Sequence, residues 1–132
     1  AYYHSSGNCL IDTNNKALIH VAIGAQIPAD GSVERIEDLA FFGHTYLKKL
    51  VLPHGINYIG TEAFKGCTNL KEIHIPVTVT GINYPFEGCV DPATIYYGGT
   101  VAQWHAILRS TYLGDNLQDF VVICTDGKIE TK

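Results

Sequence analysis

The sequence has few basic residues and no long apolar run. Lys48-Lys49 is the only cluster of Lys and Arg, and the formal net charge is −4 at pH 7. A nucleic-acid-binding surface needs a concentrated basic stripe, so we predict no nucleic-acid partner, and an anionic membrane surface is disfavoured for the same reason. No apolar run approaches the roughly 18 residues that would span a bilayer. We therefore predict a soluble chain without membrane insertion.

Methionine is absent, including at position 1. We therefore expect the sequence to be a processed or excised piece of a longer protein, from which localisation signals could have been removed. Its 132 residues, of which 46% are hydrophobic and 17% charged, are enough material for one folded domain.

Residue patterns typical of catalytic and metal sites are also missing. The six histidines show no H-x-x-x-H spacing, and the four cysteines (Cys9, Cys67, Cys89 and Cys124) form no C-x-x-C pair. No serine lies in a G-x-S-x-G motif, and Gly98-Gly99 lacks the lysine of a phosphate loop. We predict no metal site, no cofactor and no enzymatic activity, although carboxylates that meet in space from distant positions leave an acid–base pair open.

The sequence does contain an internal repeat. Six apolar positions recur in the same order and with the same spacing, where Leu47, Leu50, Leu52, Pro53, Ile56 and Ile59 become Leu70, Ile73, Ile75, Pro76, Val79 and Ile82. After a deletion of one position, Phe64, Gly66 and Cys67 recur as Phe86, Gly88 and Cys89. A period of about 20–29 residues with an L-x-x-L-x-L core indicates a leucine-rich-repeat solenoid, whose units bury their apolar faces against one another.

The repeat register extends over residues 27–97 as about three coils and a closing strand. An earlier coil contains Ile36, Ala40, Phe41 and Gly43, and Thr94–Tyr97 follows Glu72–Ile75 by one repeat with the same deletion. Ile27-Pro28 lies two positions too early, which implies an insertion in the turn over residues 29–32. Apolar residues alternate in the L-x-L segments, so we predict short strands that stack into a short parallel sheet.

Three equivalent phenylalanines, Phe41, Phe64 and Phe86, are predicted to form a buried aromatic ladder. Cys67 and Cys89 occupy equivalent positions and are predicted to be buried thiols, with a disulfide or metal pair as the alternative; His44 takes that position in its coil. The segment over residues 62–66 can form one helical turn that ends at Gly66.

Both ends of the sequence differ from the repeat. Asn14-Asn15 and Asp126-Gly127 each separate two apolar segments and predict hairpins. Thr100 is a candidate N-cap for a helix over residues 101–108 that places Trp104, Ile107 and Leu108 on one face. We predict a β-rich α/β fold and a single domain over residues 1–132, with an N-terminal hairpin over 1–26, repeats over 27–97 and a C-terminal helix-plus-hairpin cap over 98–132.

The unit LxxLxLPxxIxxIGxxAFxGCxx, carried by residues 47–69 and 70–89, resembles the BspA-like leucine-rich repeat family. Residues 3–12 are similar to a hairpin insert of such arrays, and residues 94–100 with Gln103-Trp104 are similar to their closing segment. The resemblance implies a bacterial surface or secreted protein that acts in adhesion, an extracellular or cell-surface localisation, no catalytic motif, and further coils upstream of Ala1.

Six residues that alternate with the predicted core positions form the candidate binding surface: Lys49, Val51, Glu72, His74, Thr94 and Tyr96. Because side chains alternate along a strand, we predict that they are neighbours on one exposed sheet face. Their mixed apolar, charged and aromatic character is compatible with protein recognition, with Tyr96 as the anchor. An ordinary solvated face is the alternative.

Our first hypothesis is a non-enzymatic, monomeric protein-interaction or adhesion module, with a host matrix or cell-surface protein as its partner. A second is a carbohydrate- or cell-wall-binding module, because eight tyrosines and one tryptophan could stack on sugars. That hypothesis requires the tyrosines Tyr46, Tyr58, Tyr84 and Tyr96 to be exposed and clustered. A third is a structural spacer in a longer repeat array.

Overall fold

The computed structural model of the chain describes residues 2–22, 26–83, 94–110 and 121–130. The elements in these residues are β1 Tyr3–Ser6, β2 Cys9–Asp12, β3 Ala17–Val21, β4 Arg35–Ile36, β5 Lys49–Val51, β6 Tyr58–Ile59, β7 Glu72–Ile75, β8 Gly81–Ile82, β9 Thr94–Tyr97, α1 Val101–Ser110, β10 Val121–Ile123 and β11 Lys128–Glu130.

The described strands form two mixed sheets. Six strands pair in the order β1-β2-β3-β4-β6-β8, and five pair in the order β11-β10-β9-β7-β5. The fold is therefore β-rich with one short helix in the described residues, which is consistent with a leucine-rich repeat. We call these the six-stranded and the five-stranded sheet.

The parallel pairing follows the period of the sequence. In the five-stranded sheet, Lys49 is opposite Glu72 and Glu72 is opposite Thr94, which are the equivalent positions of successive repeats. The six-stranded sheet contains a second parallel series, β4-β6-β8, that the sequence analysis did not predict. Each of its strands has two residues, one of them a buried isoleucine, and two residues are too few to show an alternating pattern.

One hydrophobic cluster contains buried side chains from both sheets. The isoleucines of β4, β6 and β8 are fully buried, as is Ile95 of β9. The rings of Phe41 and Phe64 lie 5.3 Å apart, centroid to centroid, as the predicted aromatic ladder requires; Phe86 lies outside the described residues. Full burial of such a side chain contributes roughly 1.5–3 kcal/mol, so burial of these side chains between successive repeats contributes substantially to stability.

The predicted helical turn over residues 62–66 is wrong. Glu62 has a φ of +54° and Gly66 a φ of +78°, and the segment forms successive tight turns. The reason is stacking, because the carbonyls of Thr61, Ala63 and Lys65 accept hydrogen bonds from the previous coil. Their donors are the amides of Leu39, Phe41 and Gly43, at 3.2, 2.8 and 2.9 Å. We call this set of bonds the turn ladder.

The predicted N-terminal hairpin is present, since β2 and β3 pair antiparallel across the Asn14-Asn15 turn. The Asp12 carboxylate accepts the amide of Asn14 at 3.0 Å and the side chain of Asn15 at 2.7 Å, which fixes the turn. The segment also contains β1, which pairs with β2 across a turn where Gly7 and Asn8 both have positive φ. Because β3 pairs in parallel with β4, this antiparallel unit continues the six-stranded sheet.

The predicted C-terminal helix and hairpin are also present. The Thr100 hydroxyl accepts the amide of Gln103 at 3.1 Å, and the Gln103 side chain accepts the amide of Thr100 at 2.8 Å, which is a capping box. Trp104 and Ile107 are buried as predicted, and the Leu108 side chain lies outside the described part. The hairpin joins the five-stranded sheet, since β10 pairs in parallel with β9.

Close packing between coils predicts that a side chain at position 60 would destabilise the fold. A Cβ at Gly60 would lie 2.7 Å from the backbone nitrogen of Asp38 and 2.9 Å from the carbonyl carbon of Glu37. Gly60→Ala should lower the free energy of unfolding by about 2 kcal/mol, measured by urea denaturation with circular dichroism. Gly127→Ala is the control, because its Cβ would lie 3.4 Å from Val101 Cγ2 in ordinary contact. Equal midpoints for the two variants would contradict this packing.

Candidate binding surface

The register of the five-stranded sheet brings the six candidate residues into two parallel rows. Lys49, Glu72 and Thr94 are directly opposite one another in the first row, and Val51, His74 and Tyr96 in the second. The alternating residues of β7 and β9, Ile73, Ile75, Ile95 and Tyr97, point inward and are buried. The burial of these four residues is therefore what orients the candidates outward.

The first row carries an ion pair that also contacts the second row. Lys49 Nζ lies 3.6 Å from Glu72 Oε2, and Glu72 Oε1 lies 3.1 Å from His74 Nε2. The Lys49 side chain is 59% exposed and that of Glu72 is 31% exposed, and a pair in such surroundings contributes less than about 1 kcal/mol to stability. The contact thus orients the His74 ring more than it stabilises the fold.

The second row carries a flat aromatic pair. The rings of His74 and Tyr96 are stacked, with centroids 4.6 Å apart and an interplanar angle of 11°. Both side chains are half-buried, and Val51 beside His74 is 57% exposed. A stacked pair with neighbouring β-branched surface offers a contact area that loses little conformational freedom on binding.

Strand β10 extends this surface beyond the six residues. Val121 lies opposite Thr94 and Ile123 opposite Tyr96, and Ile123 is 37% exposed. Neither residue was predicted from the sequence, because β10 follows β9 by more than one repeat and thus falls outside the period. The signal that could have found them is the pattern around Val122, whose buried side chain places its two neighbours on the opposite face. We call the enlarged set the outer face: Lys49, Val51, Glu72, His74, Thr94, Tyr96, Val121 and Ile123.

Strand β11, which pairs with β10 at the border of the outer face, carries a second ion pair. Lys128 Nζ lies 2.7 Å from Glu130 Oε1. This hydrogen bond, with the attraction between the charges, raises the pKa of Lys128 and lowers the pKa of Glu130. Both side chains are therefore charged at neutral pH, and they give the surface a polar rim.

The tyrosines that motivated the carbohydrate hypothesis do not lie together on one surface. Tyr58 belongs to the six-stranded sheet, where the Arg35 guanidinium lies 4.4 Å from its ring centroid. Tyr46 lies in a turn with its hydroxyl 2.7 Å from His44 Nδ1, whereas Tyr96 belongs to the five-stranded sheet. Tyr84 lies outside the described residues, and Trp104 is buried at 1% exposure. The described rings offer no common platform for a sugar.

The cysteines and histidines were the other candidate site residues, for a metal ion or a disulfide. Within the described ranges, no three or more His, Cys, Asp or Glu side chains are placed to hold a metal ion. Cys67 is 1% exposed and donates to the carbonyl of Phe41 at 3.1 Å, while Cys89 lies outside those ranges. His44 is also buried, and this burial lowers its pKa. Cys67 and His44 are thus core residues.

A protein-family model matches most of the chain. The family model for the BspA-type leucine-rich repeat region, which spans six copies of the repeat, matches residues 23–120. The chain belongs to the BspA-type leucine-rich repeat family. Searches of curated proteins and of solved structures returned no match.

BspA-type repeats typically serve as non-enzymatic modules for protein–protein interaction, and the family is typical of bacterial surface proteins. In the residues that the structure describes, no helix has the length and apolar character needed to cross a membrane.

Burial of Cys67 predicts a stability loss at alkaline pH. Desolvation raises the pKa of this thiol to about 11, partly offset by a backbone hydrogen bond with His44. An unfolded thiol ionises near pH 8.5, so the contribution of the protonated form is complete below that pH and is lost as the pH rises to about 11. We expect the free energy of unfolding to fall over this window by on the order of 2 kcal/mol.

The measurement is urea denaturation at several pH values between neutrality and about pH 11. The control is Cys67→Ala, which should have a flatter pH profile, with the residual slope coming from Cys9, Cys124 and Tyr97, whose pKa values are also raised by burial. A profile unchanged by the substitution would show that Cys67 does not titrate with unfolding.

Proposed function

We propose that this BspA-type chain is a protein-interaction module without enzymatic activity, and that the outer face is its binding surface. Residues 27–97 act as a solenoid of about three coils, residues 1–26 and 98–132 complete the same domain at its two ends, and the chain is monomeric. The single observation that supports this proposal most directly is the stacked pair of His74 and Tyr96 beside the exposed Val51.

The composition of the outer face fits protein recognition. Interface centres are enriched in aromatic residues and depleted of charge, with polar residues at the rim. Here the aromatic pair and the apolar Val51 and Ile123 lie in one row, and the pairs Lys49–Glu72 and Lys128–Glu130 lie toward the two edges. A partner with a complementary apolar centre would desolvate the Tyr96 ring and keep the ion pairs at the border.

We further propose that the module works in the extracellular space or on a bacterial cell surface, in adhesion to a host matrix or cell-surface protein. The support is the family, which is typical of bacterial surface proteins. Among the described residues the tyrosines do not cluster, so the carbohydrate alternative lacks the observation that it requires. The spacer alternative differs in one testable respect, because it requires no specific contact from the outer face.

We expect Tyr96→Ala and His74→Ala each to weaken binding by at least about tenfold, since an aromatic anchor at the centre of an interface contributes about 2 kcal/mol or more. The measurement is biolayer interferometry of the full chain against a panel of purified extracellular-matrix and cell-surface proteins. The matched controls are Tyr3→Ala and His105→Ala, which remove exposed rings from β1 and α1, away from the outer face.

Two results would count against the proposal. If the panel yields no binder for the unmodified chain, the adhesion role is lost. If a binder is found but all four variants bind it equally, the outer face is not the contact surface, and the spacer role becomes the better account.

A further inference from the structure

Strand β11 adds one position to the second row of the outer face. Lys128 of β11 is directly opposite Ile123 of β10. The next residue of β11, Ile129, is opposite the buried Val122 and packs against the core, so Lys128 points outward. The extended row has five members across the five strands, which are Val51, His74, Tyr96, Ile123 and Lys128.

The rings of His74 and Tyr96 stand upright on the sheet. Their centroids are 4.6 Å apart and their planes differ by 11°, and this separation is close to the spacing of adjacent strands, which is about 4.8 Å. In a stacked pair with this separation, the ring faces are directed along the row, toward the neighbouring strands. One face of Tyr96 therefore contacts His74, and its opposite face is directed toward β10.

This opposite face of Tyr96 borders a space above Ile123. An isoleucine side chain is shorter than a tyrosine, so the outer part of the ring rises above it, and Ile123 is 37% exposed. On the far side, the Lys128 side chain is 65% exposed and reaches along β11 to Glu130, where its Nζ lies 2.7 Å from Oε1. We call this space the slot: Ile123 is its floor, and Tyr96 and Lys128 are its walls.

The chain segments that border the slot at the ends of its strands belong to the described residues. Residues 98–100 follow β9, and residues 124–127 join β10 to β11. The Asp126 carboxylate accepts the amide of Val101 at 2.8 Å, which ties this hairpin turn to the start of α1. Helix α1 lies on the core side of the sheet, where Trp104 packs against the inward-facing Tyr97. The turn therefore bends away from the slot.

The slot has the width of one further ring in the stack. Two strand spacings separate β9 from β11, so the backbones that carry Tyr96 and Lys128 are about 10 Å apart. A flat ring midway between them would lie about 5 Å from each wall, within the range of about 4.5–7 Å that stacked aromatic pairs prefer. That distance is similar to the 4.6 Å between His74 and Tyr96. An aromatic ring in the slot would therefore continue the existing stack.

The charges at the slot are complementary to an aromatic side chain that carries a hydrogen-bond donor. Lys128 lies on the wall opposite Tyr96, and an ammonium group is attracted to the face of an aromatic ring. The Glu130 carboxylate beside it has acceptor sites beyond its bond with Lys128. The indole N–H of tryptophan and the phenol O–H of tyrosine are donors that match such an acceptor. The slot thus presents a flat wall, a cation and an acceptor.

We propose that the slot receives one aromatic side chain of the partner protein, a tryptophan or a tyrosine, which stacks on Tyr96 and contacts Lys128. This inference rests on the proposed role of the outer face as a binding surface and specifies the anchor that the partner inserts there. The stack then has three rings, two from this chain and one from the partner. Residues of these two types are enriched among the few that dominate the energy of protein interfaces.

The probe is N-acetyl-tryptophanamide, titrated into the isotopically labelled full chain and followed by NMR. We expect saturable shift changes at Ile123 and Lys128. The Lys128 methylene protons should move upfield, because they lie over the face of the bound ring, and the indole should give intermolecular NOEs to the Ile123 side chain. The comparison ligand is N-acetyl-leucinamide, which is apolar but not flat. It should bind about fivefold more weakly, since it cannot stack on Tyr96.

Two chain variants test the slot from the other side. Ile123→Phe fills it with a ring of the chain itself and should abolish probe binding. Its control is Leu10→Phe, because Leu10 lies in β2 of the six-stranded sheet and is exposed to nearly the same degree as Ile123. Lys128→Met keeps the stem of the wall, removes the charge and should weaken the probe about threefold. Its control is Lys16→Met, which removes another exposed lysine, paired with Glu34 at 3.2 Å.

Three results would overturn the proposal. The first is the absence of saturable shift changes at Ile123, and the second is equal affinity for the tryptophan and leucine amides. The third is an equal effect of each variant and its control on probe binding. Because Lys128 is exposed, Lys128→Met keeps the test decisive if Ile123→Phe does not fold.

The same variants separate this inference from the proposed function. If a matrix or cell-surface protein binds the chain, and Tyr96→Ala removes that binding while Ile123→Phe leaves it unchanged, the outer face binds its partner without the slot and this inference is wrong. If the probe occupies the slot but no protein of the panel binds, the adhesion role is lost, and the slot is supported as a site for an aromatic ring.

Discussion

Each coil of this chain depends on its neighbours for the hydrogen bonds of its backbone as well as for the cover of its apolar side chains. The strands β5, β7 and β9 are short, and β7 pairs on both sides with the equivalent strands of the adjacent repeats. The turn between the two sheets follows the same rule, since its amides bond to the next coil instead of forming a helix. A single coil removed from the stack would expose both its isoleucines and its amides to water. The stabilising contacts therefore lie mostly between neighbouring coils and not within one coil.

This constraint also determines where function can reside. Inward positions are occupied by side chains that must fit the coil before and after, and Gly60 shows how little room is left between them. Outward positions of the same strands carry no such requirement, and there the chain places Lys49, Glu72, His74 and Tyr96 in contact with one another. The stacked rings and the ion pair therefore lie on a scaffold that is held together by the inward residues of the same strands.

The sequence predicted the parts of the fold in which one physical requirement repeats. The L-x-L strands were predictable because inward residues alternate, and the hairpins because Asn14-Asn15 and Asp126-Gly127 are turn sequences. Strands β4, β6 and β8 were missed because two residues cannot show alternation. The pairing of β10 with β9 was missed because helix α1 lies between them and lengthens the offset beyond one repeat. The contact of His74 with Tyr96 depends on side-chain rotamers that register alone does not specify, so the sequence could predict their row but not their stacking.

The two outermost strands of the five-stranded sheet, β11 and β5, differ in their surroundings. Exposed strand edges invite pairing with other chains, and proteins usually protect them with charge. At β11 the side chains that flank Ile129 are Lys128 and Glu130, which pair with each other and leave a polar edge. At β5 the Lys49 side chain pairs with Glu72 of β7, and Leu50 lines a groove together with Val21 and Ile27. Leu50 is only partly buried, whereas its equivalents Ile73 and Ile95, each with a paired strand on both sides, are 3% and 0% exposed. The burial of a repeat position in this sheet therefore depends on the strands that pair beside it, as well as on the identity of the residue.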